Sequence, residues 1–398
     1  MSHISDHIEI FLEKAIPGSH SKDLSRLYLD IMKGRISSRR EFSANYGLRS
    51  STVSELVNEL VGKKLIYEVA DVGTSRGRPA KKLVLNQNLF VICVVRISSQ
   101  TLICNAVNIT GQVIEETRST LSSSCNNRQM IAEVRKLYGI LLEKLPAGVS
   151  CIGMVFSLPG ILSIERKNWI MSSRWPEINN LSIENELRDM AVPIKVVRNI
   201  DAELRARLFK EDGENILLLH WGFGIGIAYS EGGDPINSKF GRFGEIGHWD
   251  LGVNGTEQCR CGRNGCLEVH CALWSIWPDM ARTWPELSKN EEDFMVQAAK
   301  FPLLEHDKIQ QAVDMMVTTL GNLCRVLFPS KILLSGPFFA NDEVLAEFYR
   351  KFLNDGVLPH VSPPKLTYVQ QSEQLETEGA AIPVIVGEIE GRLRHGKG

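Results

Sequence analysis

Four side chains that bind soft metal ions stand close together in the middle of this sequence. Cys259, Cys261 and Cys266 fall within eight residues, and His248 lies eleven residues before the first thiol. Three thiolates and one imidazole make a tetrahedral zinc set that leaves no position open to water, so the ion would be structural. Gly262 and Gly265 allow the tight turns needed to aim several side chains at one point. The spacing is not that of a zinc finger; it pins one loop inside a larger domain. Buried apolar thiols or a disulfide are the competing reading, but the polar, glycine-rich surroundings make poor core.

With its flanks the loop reads Glu245-x-Gly247-His248, then Cys259-x-Cys261-Gly262-x-x-Gly265-Cys266-x-Glu268. This resembles the signature of the ROK family, which contains repressors, open reading frames and sugar kinases. The resemblance implies zinc at His248, Cys259, Cys261 and Cys266, and contacts to a sugar's hydroxyls from Glu245, His248 and Glu268. It leaves open whether the chain phosphorylates a sugar or only senses one.

The elements that must carry this loop follow from the rest of the chain. Its 398 residues, 43% hydrophobic and 23% charged with a net charge of -2, suit a globular protein of two or three domains. No apolar run reaches membrane length, the first twenty residues lack the pattern of a signal peptide, and nine cysteines suit a reducing compartment. A cytoplasmic protein without membrane insertion is expected.

Residues 1 to 20 have weak periodicity and read as a tail. Between Ser21 and Lys33, Leu24, Leu27, Tyr28 and Ile31 recur at helical spacing. Ser38-x-x-Glu41 and Thr52-x-x-Glu55 are capping boxes that predict two further helices separated by Gly47. Helix, glycine turn, helix is a helix-turn-helix, with Arg49, Ser50, Ser51, Thr52, Ser54 and Asn58 facing outward to meet base edges and phosphates. Leu65 to Val69 and Lys82 to Leu85 read as a winged hairpin whose tip carries Arg76, Arg78 and Lys81. From Lys33 to Lys82 there are eleven basic and five acidic residues, a local excess of six that suits a DNA face. A charged three-helix interaction domain is the alternative. The Gly-Arg-Pro-Ala wing ahead of the zinc loop resembles regulators of the NagC/Mlc/XylR type within the family.

From Leu89 onward strands and helices alternate. Val91 to Ile97 and Leu102 to Ile109 read as paired strands, Met130 to Lys144 as a helix, and Ser150 to Phe156, Ile194 to Val197 and Ile216 to Leu219 as buried strands. Gly379 to Arg394 reads as a closing helix. The expected division is a tail over 1–20, a winged helix-turn-helix over 21–88, and a two-lobed α/β, actin-like ROK domain over 89–398 with its zinc loop at 244–271.

Four parts decide between kinase and sensor. The family's first phosphate turn, Asp-x-Gly-Gly-Thr, holds Mg²⁺; here it reads Arg96-Ile97-Ser98-Ser99-Gln100, with a cation for the carboxylate and side chains for both glycines. Asp201, in Asn199-Ile200-Asp201-Ala202, resembles the catalytic base, although Ile200 stands where Asn is usual; taken alone, an Asp there is more often a helix cap. Gly222-Phe223-Gly224-Ile225-Gly226 matches the second glycine loop with Phe223 for Thr. Ser335-Gly336-Pro337 is a poor nucleotide loop. The sugar-facing set, a vestigial base Asp201 with Glu245, His248 and Glu268, is better kept than the nucleotide-facing one. The sequence therefore predicts a non-enzymatic repressor of carbohydrate genes that binds an operator duplex as a homodimer or tetramer, carries structural zinc and responds to a sugar or sugar phosphate. An ATP-dependent sugar kinase and a repressor controlled by a protein partner are the alternatives.

Overall fold

The computed structural model describes residues 4–6, 8–9, 19–70, 81–208, 215–236, 243–252 and 257–394. The N-terminal domain opens with α1 (Ser19–Met32), whose Leu24, Leu27, Tyr28 and Ile31 are buried as their spacing predicts. Ser38 caps α2 (Arg39–Tyr46) by accepting from the Glu41 N–H at 3.3 Å, and Gly47 ends it in the left-handed region at φ +63. The next helix, α3 (Ser50–Gly62), starts earlier than its predicted box: Thr52 lies inside the first turn, and Arg49 stands at the N-cap with no side-chain cap bond. The first twenty residues are more than a tail, because residues 4–6 and 8–9 are helical and Ile4 and Ile8 are fully buried in the domain's core.

Strands β1 (Ile66–Ala70) and β2 (Lys81–Leu85) pair antiparallel to form the wing. Its tip, with Arg76 and Arg78, lies outside the described residues. Arg39 ties wing to helices: its Nε donates to Glu68 at 2.7 Å and its Nη2 to Asn58 at 2.9 Å, while Glu68 also accepts from Lys81 at 3.0 Å.

Two five-stranded sheets follow. The first contains β3 (Val91–Ser98), β4 (Thr101–Asn108), β5 (Val113–Thr120), β6 (Cys151–Leu158) and β10 (Ile194–Arg198), in the spatial order β10-β6-β3-β4-β5. Between its last two members lies a separate three-stranded sheet of β7 (Ile161–Ser163), β8 (Asn168–Met171) and β9 (Asn179–Ser182). The second large sheet contains β11 (Asn215–Trp221), β12 (Ile225–Glu231), β13 (Asp234–Pro235), β14 (Lys331–Ser335) and β15 (Lys365–Tyr368), in the order β13-β12-β11-β14-β15. Each lobe is thus an antiparallel meander of three strands extended by two parallel ones, the same plan used twice. Near-continuous burial along β3 and β4 fits a sheet covered on both faces. Helix α4 (Asn127–Lys144) covers one face, opened by a full capping box of Asn126 and Gln129.

The other face is covered by α5 (Asn199–Arg207) and the C-terminal helix, numbered α11 below after α6 (Leu267–Cys271), α7 (Leu273–Thr283), α8 (Glu291–Ala298), α9 (Asp307–Leu327) and α10 (Asp342–Lys351). Helix α11 (Glu373–Arg394) starts six residues before its predicted beginning and buries Ala380, Ala381, Ile382, Ile385, Val386, Ile389 and Leu393. These residues share one core with Leu24, Leu27, Leu56, Leu60 and Ile66 of the N-terminal domain and with Ile92 and Val94 of β3. Lys63 donates to the Arg392 carbonyl at 2.7 Å, and the Arg392 guanidinium lies 5.5 Å above the Phe90 ring.

The seat of α11 on α5 depends on Gly379, where an added Cβ would stand 1.9 Å from the Ala202 carbonyl oxygen. Gly379→Ala must push the two helices apart. The expected loss is roughly 1–3 kcal/mol in urea unfolding, the range of an overpacked core; an unchanged midpoint would show that the helix seat is soft.

Candidate functional site

The metal loop comes together as its spacing requires. One ligand atom from each of His248, Cys259, Cys261 and Cys266 lies within 4.8 Å of the others, with Cys259 and Cys266 buried. His248 sits in a short 3-10 turn (Ile246–His248), and its Nδ1 faces the Cys259 sulfur at 3.6 Å. Isolated Asp250–Cys266 and Gln258–Asn264 bridges hold the loop shut. Burial pushes the Cys259 and Cys266 thiols well above their ordinary range and lowers the His248 imidazole, so His248 is neutral and its lone pair is available. Such a donor set fits a divalent soft cation, which would favour the thiolates that burial opposes.

The imidazole also lines the main cavity, a space of about 190 Å³ between the two lobes. Glu245 and Glu268 line it beside His248. Glu268 is buried at the start of α6, where its two oxygens accept from the Ile225 N–H at 3.2 Å and the Trp274 indole N–H at 3.3 Å. Gly247 permits this approach, since a Cβ there would meet the Glu268 Cγ at 2.7 Å. Burial raises the carboxyls of both Glu245 and Glu268, against the opposing pull of Arg198 on the first and of two N–H donors on the second.

Asp201 departs from its expected place. Asn199 and Ile200 line the cavity, whereas Asp201 is buried behind them and its Oδ1 pairs with Arg198 at 3.1 Å. In the first turn of α5 the chain rotates about 100° per residue, so a side chain two places after Asn199 points to the opposite side. Arg198 bridges Asp201, the Ile227 carbonyl at 3.2 Å and Glu245 at 3.5 Å, and so positions Glu245 instead.

Several cavity groups were not among the residues singled out in the sequence. Glu291, at the start of α8, accepts from the Phe223 N–H at 2.8 Å, contacts His220 at 3.1 Å and pairs with Arg174 from the first lobe; against the opposing effect of burial, the Arg174 guanidinium and these hydrogen bonds hold its carboxyl well below the usual range. Ser98 donates to Glu292, and Ser99 to Asn290 at 3.3 Å, so the hairpin between β3 and β4 is joined across the cleft to α8. No local pattern announces these pairs, because their members stand 68 to 194 residues apart.

On the N-terminal domain, Arg49, Ser50, Ser51 and Asn58 are exposed along α3, with Thr52 and Ser54 partly so, and Lys81 is exposed on the wing.

The ROK family pattern matches residues 94–384. The chain belongs to the ROK family. It is similar to the xylose repressor of Bacillus subtilis, with 24% identity over 249 residues, 62% of this chain and 64% of that protein, so the match spans a little under two thirds of that relative's length. Its fold is that of a ROK family transcriptional regulator described as a homologue of the Escherichia coli Mlc protein (TM-score 0.68, 23% identity, 94% of this chain and 99% of the other). A ROK glucokinase from Streptomyces griseus, solved with glucose and AMPPNP, shares it over 73% of this chain and 98% of its own (TM-score 0.59, 15% identity).

Within this ROK domain the altered phosphate turn has a definite structure. Arg96 is 3% exposed; its Nε donates to Asn105 at 3.2 Å and its Nη2 pairs with Glu373 at 2.6 Å. One helical turn on, Glu376 accepts from the Ser157 hydroxyl at 2.7 Å. At the Ser335-Gly336-Pro337 loop, Gly336 (φ +109) lies against the Trp221 backbone, and the Trp221 ring stacks on Phe338 at 4.7 Å.

Burial, with the Glu203 and Glu373 charges, pushes the Glu376 carboxyl from 4.5 up to about 7, against the pull of Ser157 and Arg96. A carboxyl raised on folding contributes stability that is complete below its unfolded value and lost as pH rises through the folded one. Glu376→Gln removes this titration. The variant should gain roughly 3 kcal/mol relative to the parent between pH 4.5 and 8, at 1.36 kcal/mol per unit; urea unfolding curves at several pH values whose difference stays constant would refute the assignment.

Proposed function

We propose that the chain is a sugar-responsive transcription regulator: the winged helix-turn-helix binds an operator duplex, and the ROK domain binds a sugar effector without phosphorylating it. The observation that carries this reading is the exchange of partners at the first turn. Where phosphoryl transfer needs a carboxylate for Mg²⁺, Arg96 is buried in an ion pair with Glu373, and a guanidinium there repels the metal. Ser98 and Ser99 occupy the rest of that turn with bonds to α8. Glu245, His248 and Glu268 nevertheless converge on one cavity, a mixed set of acceptors and donors suited to a polyol.

Helix α11 supplies the coupling. Glu373 and Glu376 at its start line the effector cavity, and Leu393 at its end lies in the core of the DNA-binding half. Its 22 residues span about 33 Å at 1.5 Å per residue. A ligand that prefers one lobe spacing shifts the helix, and with it the domain that holds α3; effector and operator affinities are then linked and reciprocal. The operator is a near-palindrome read by a homodimer or a tetramer, and no described helix is long and apolar enough to cross a membrane. Zinc on His248, Cys259, Cys261 and Cys266 would fix the loop that bears His248 and leads into Glu268; its role is structural.

The test uses an operator selected by the purified protein from a random duplex pool. Arg49→Ala and Arg78→Ala should each weaken gel-shift affinity roughly tenfold, and binding should fall steeply with salt; unchanged affinity in both would remove the DNA-binding assignment. A sugar kinase, favoured by the fold shared with a glucokinase, would release ADP from ATP and Mg²⁺ with a sugar present, and the sensor reading expects none.

Metal analysis of the purified chain should find about one zinc per chain. Cys261→Ser should lose it and, with it, the thermal shift produced by the effector sugar. A zinc-free variant that still responds to sugar would separate the loop from sensing.

A further inference from the structure

A second cavity of about 500 Å³ lies directly behind Phe223. Phe223 stands in the glycine loop where the family pattern has a hydroxyl donor, and neither metal binding nor coupling accounts for it. Its ring is a partition: Phe223, Arg174, Ser99 and Glu291 line both this cavity and the main one. The Arg174 guanidinium lies 4.6 Å and that of Arg260 5.5 Å from its ring centroid, so two cations clamp the partition in place. Arg260 also lies 4.4 Å from the Trp274 ring, and Trp274 donates to Glu268 at 3.3 Å. The wall of the second cavity is therefore bonded to a sugar-facing carboxylate of the first.

The lining states what would enter. Trp277, half-buried with its indole N–H fixed on the Leu287 carbonyl at 3.0 Å, presents a flat apolar face one helical turn from Trp274. Gln100, Ser123 and Ser124 on the opposite side bring amide and hydroxyl groups. Charge is nearly balanced: Arg174 is neutralised by Glu291, Arg260 is stacked and donates to the Ser173 carbonyl, and exposed Lys289 and Glu177 are of opposite sign on the rim. A phosphate group would want an excess of positive charge. An aromatic platform with planar polar side chains and little net charge suits the apolar face and equatorial hydroxyls of a pyranose ring. The main cavity alone falls below the roughly 300–1,000 Å³ of ordinary ligand pockets, and the second falls within it.

We propose that the cavity behind Phe223 is a second carbohydrate subsite, so that the effector is a neutral oligosaccharide with one ring beside Glu268 and the next against Trp277 and Phe223. This rests on the sugar-sensor reading above and narrows it. Movement of Phe223 between the two guanidiniums joins the spaces, and the longer ligand is in contact with both lobes at once.

Calorimetry on the full-length protein tests it with xylose and xylobiose, glucose and cellobiose, and N-acetylglucosamine and its β-1,4 dimer. In one pair the disaccharide should bind roughly tenfold tighter or more than its monosaccharide. Ser124→Trp, which fills the exposed rim, and Trp277→Ala should each bring that advantage within about twofold while leaving the monosaccharide affinity within about twofold. Glu268→Gln should abolish both. A monosaccharide that binds in a Glu268-dependent way with no gain from the second ring would overturn the subsite and leave the sensor standing, and so would tighter binding of glucose 6-phosphate than of either neutral form. Absence of binding by every carbohydrate would remove the sensor reading itself.

Discussion

A guanidinium taken out of water must be given anions and acceptors, and the burial of Arg96 on the middle strand of the first five-stranded sheet imposes that requirement on everything around it. Asn105 meets it at Nε and Glu373 at Nη2, while Nη1 is buried without a partner. Because Glu373 belongs to the first turn of the C-terminal helix, the ion pair fixes where that helix begins and which way it runs. The apolar run that follows is thereby aimed along the back of the first sheet toward the N-terminal domain. A cation at this turn is thus paired with the first turn of a 22-residue helix.

The two sides of the cleft differ. On the side of the metal loop, glycines bring backbone and carboxylate close together, and Glu268 is held by two N–H groups. On the opposite side, Ser98, Ser99 and Phe223 line the cavity, and Trp221 stacks on Phe338. Arg198 and Glu291 are both buried charges: Arg198 joins its near neighbour Asp201 to Glu245 and the Ile227 carbonyl, and Glu291 joins Arg174 to His220 and Phe223.

How much of this was legible in the sequence depended on how local the cause was. The metal loop could be read because its ligands, glycines and spacing lie within a short stretch. The strands from Val91 to Leu219 could be read because a sheet covered on both faces demands continuous apolar runs. Asp201 stands behind the cavity wall, a placement the sequence could not give, because α5 begins at Asn199 and a shift of two residues reverses a helical face. The start of α3 was set late for a similar reason: Ser50 and Ser51 suit a first turn as well as a cap does. Glu373 and Glu376 escaped notice because two acids ahead of an apolar stretch look like solvent-facing residues until Arg96 and Ser157 are folded against them. The bonds between Ser98, Ser99 and Arg174 on one lobe and α8 on the other have no signature in sequence at all.

The single core that runs from α1 through the end of the C-terminal helix to the first sheet also bears on how such a protein could be recombined. A reader head joined to its sensor by a loose tether could be exchanged for another head at the linker. Here the head shares Leu393, Ile389 and Phe90 with the body, so a cut in the Asn86–Leu89 connection leaves an apolar face on each fragment. The unit of exchange is discontinuous: the first ninety residues together with the final helical turns, three hundred positions away.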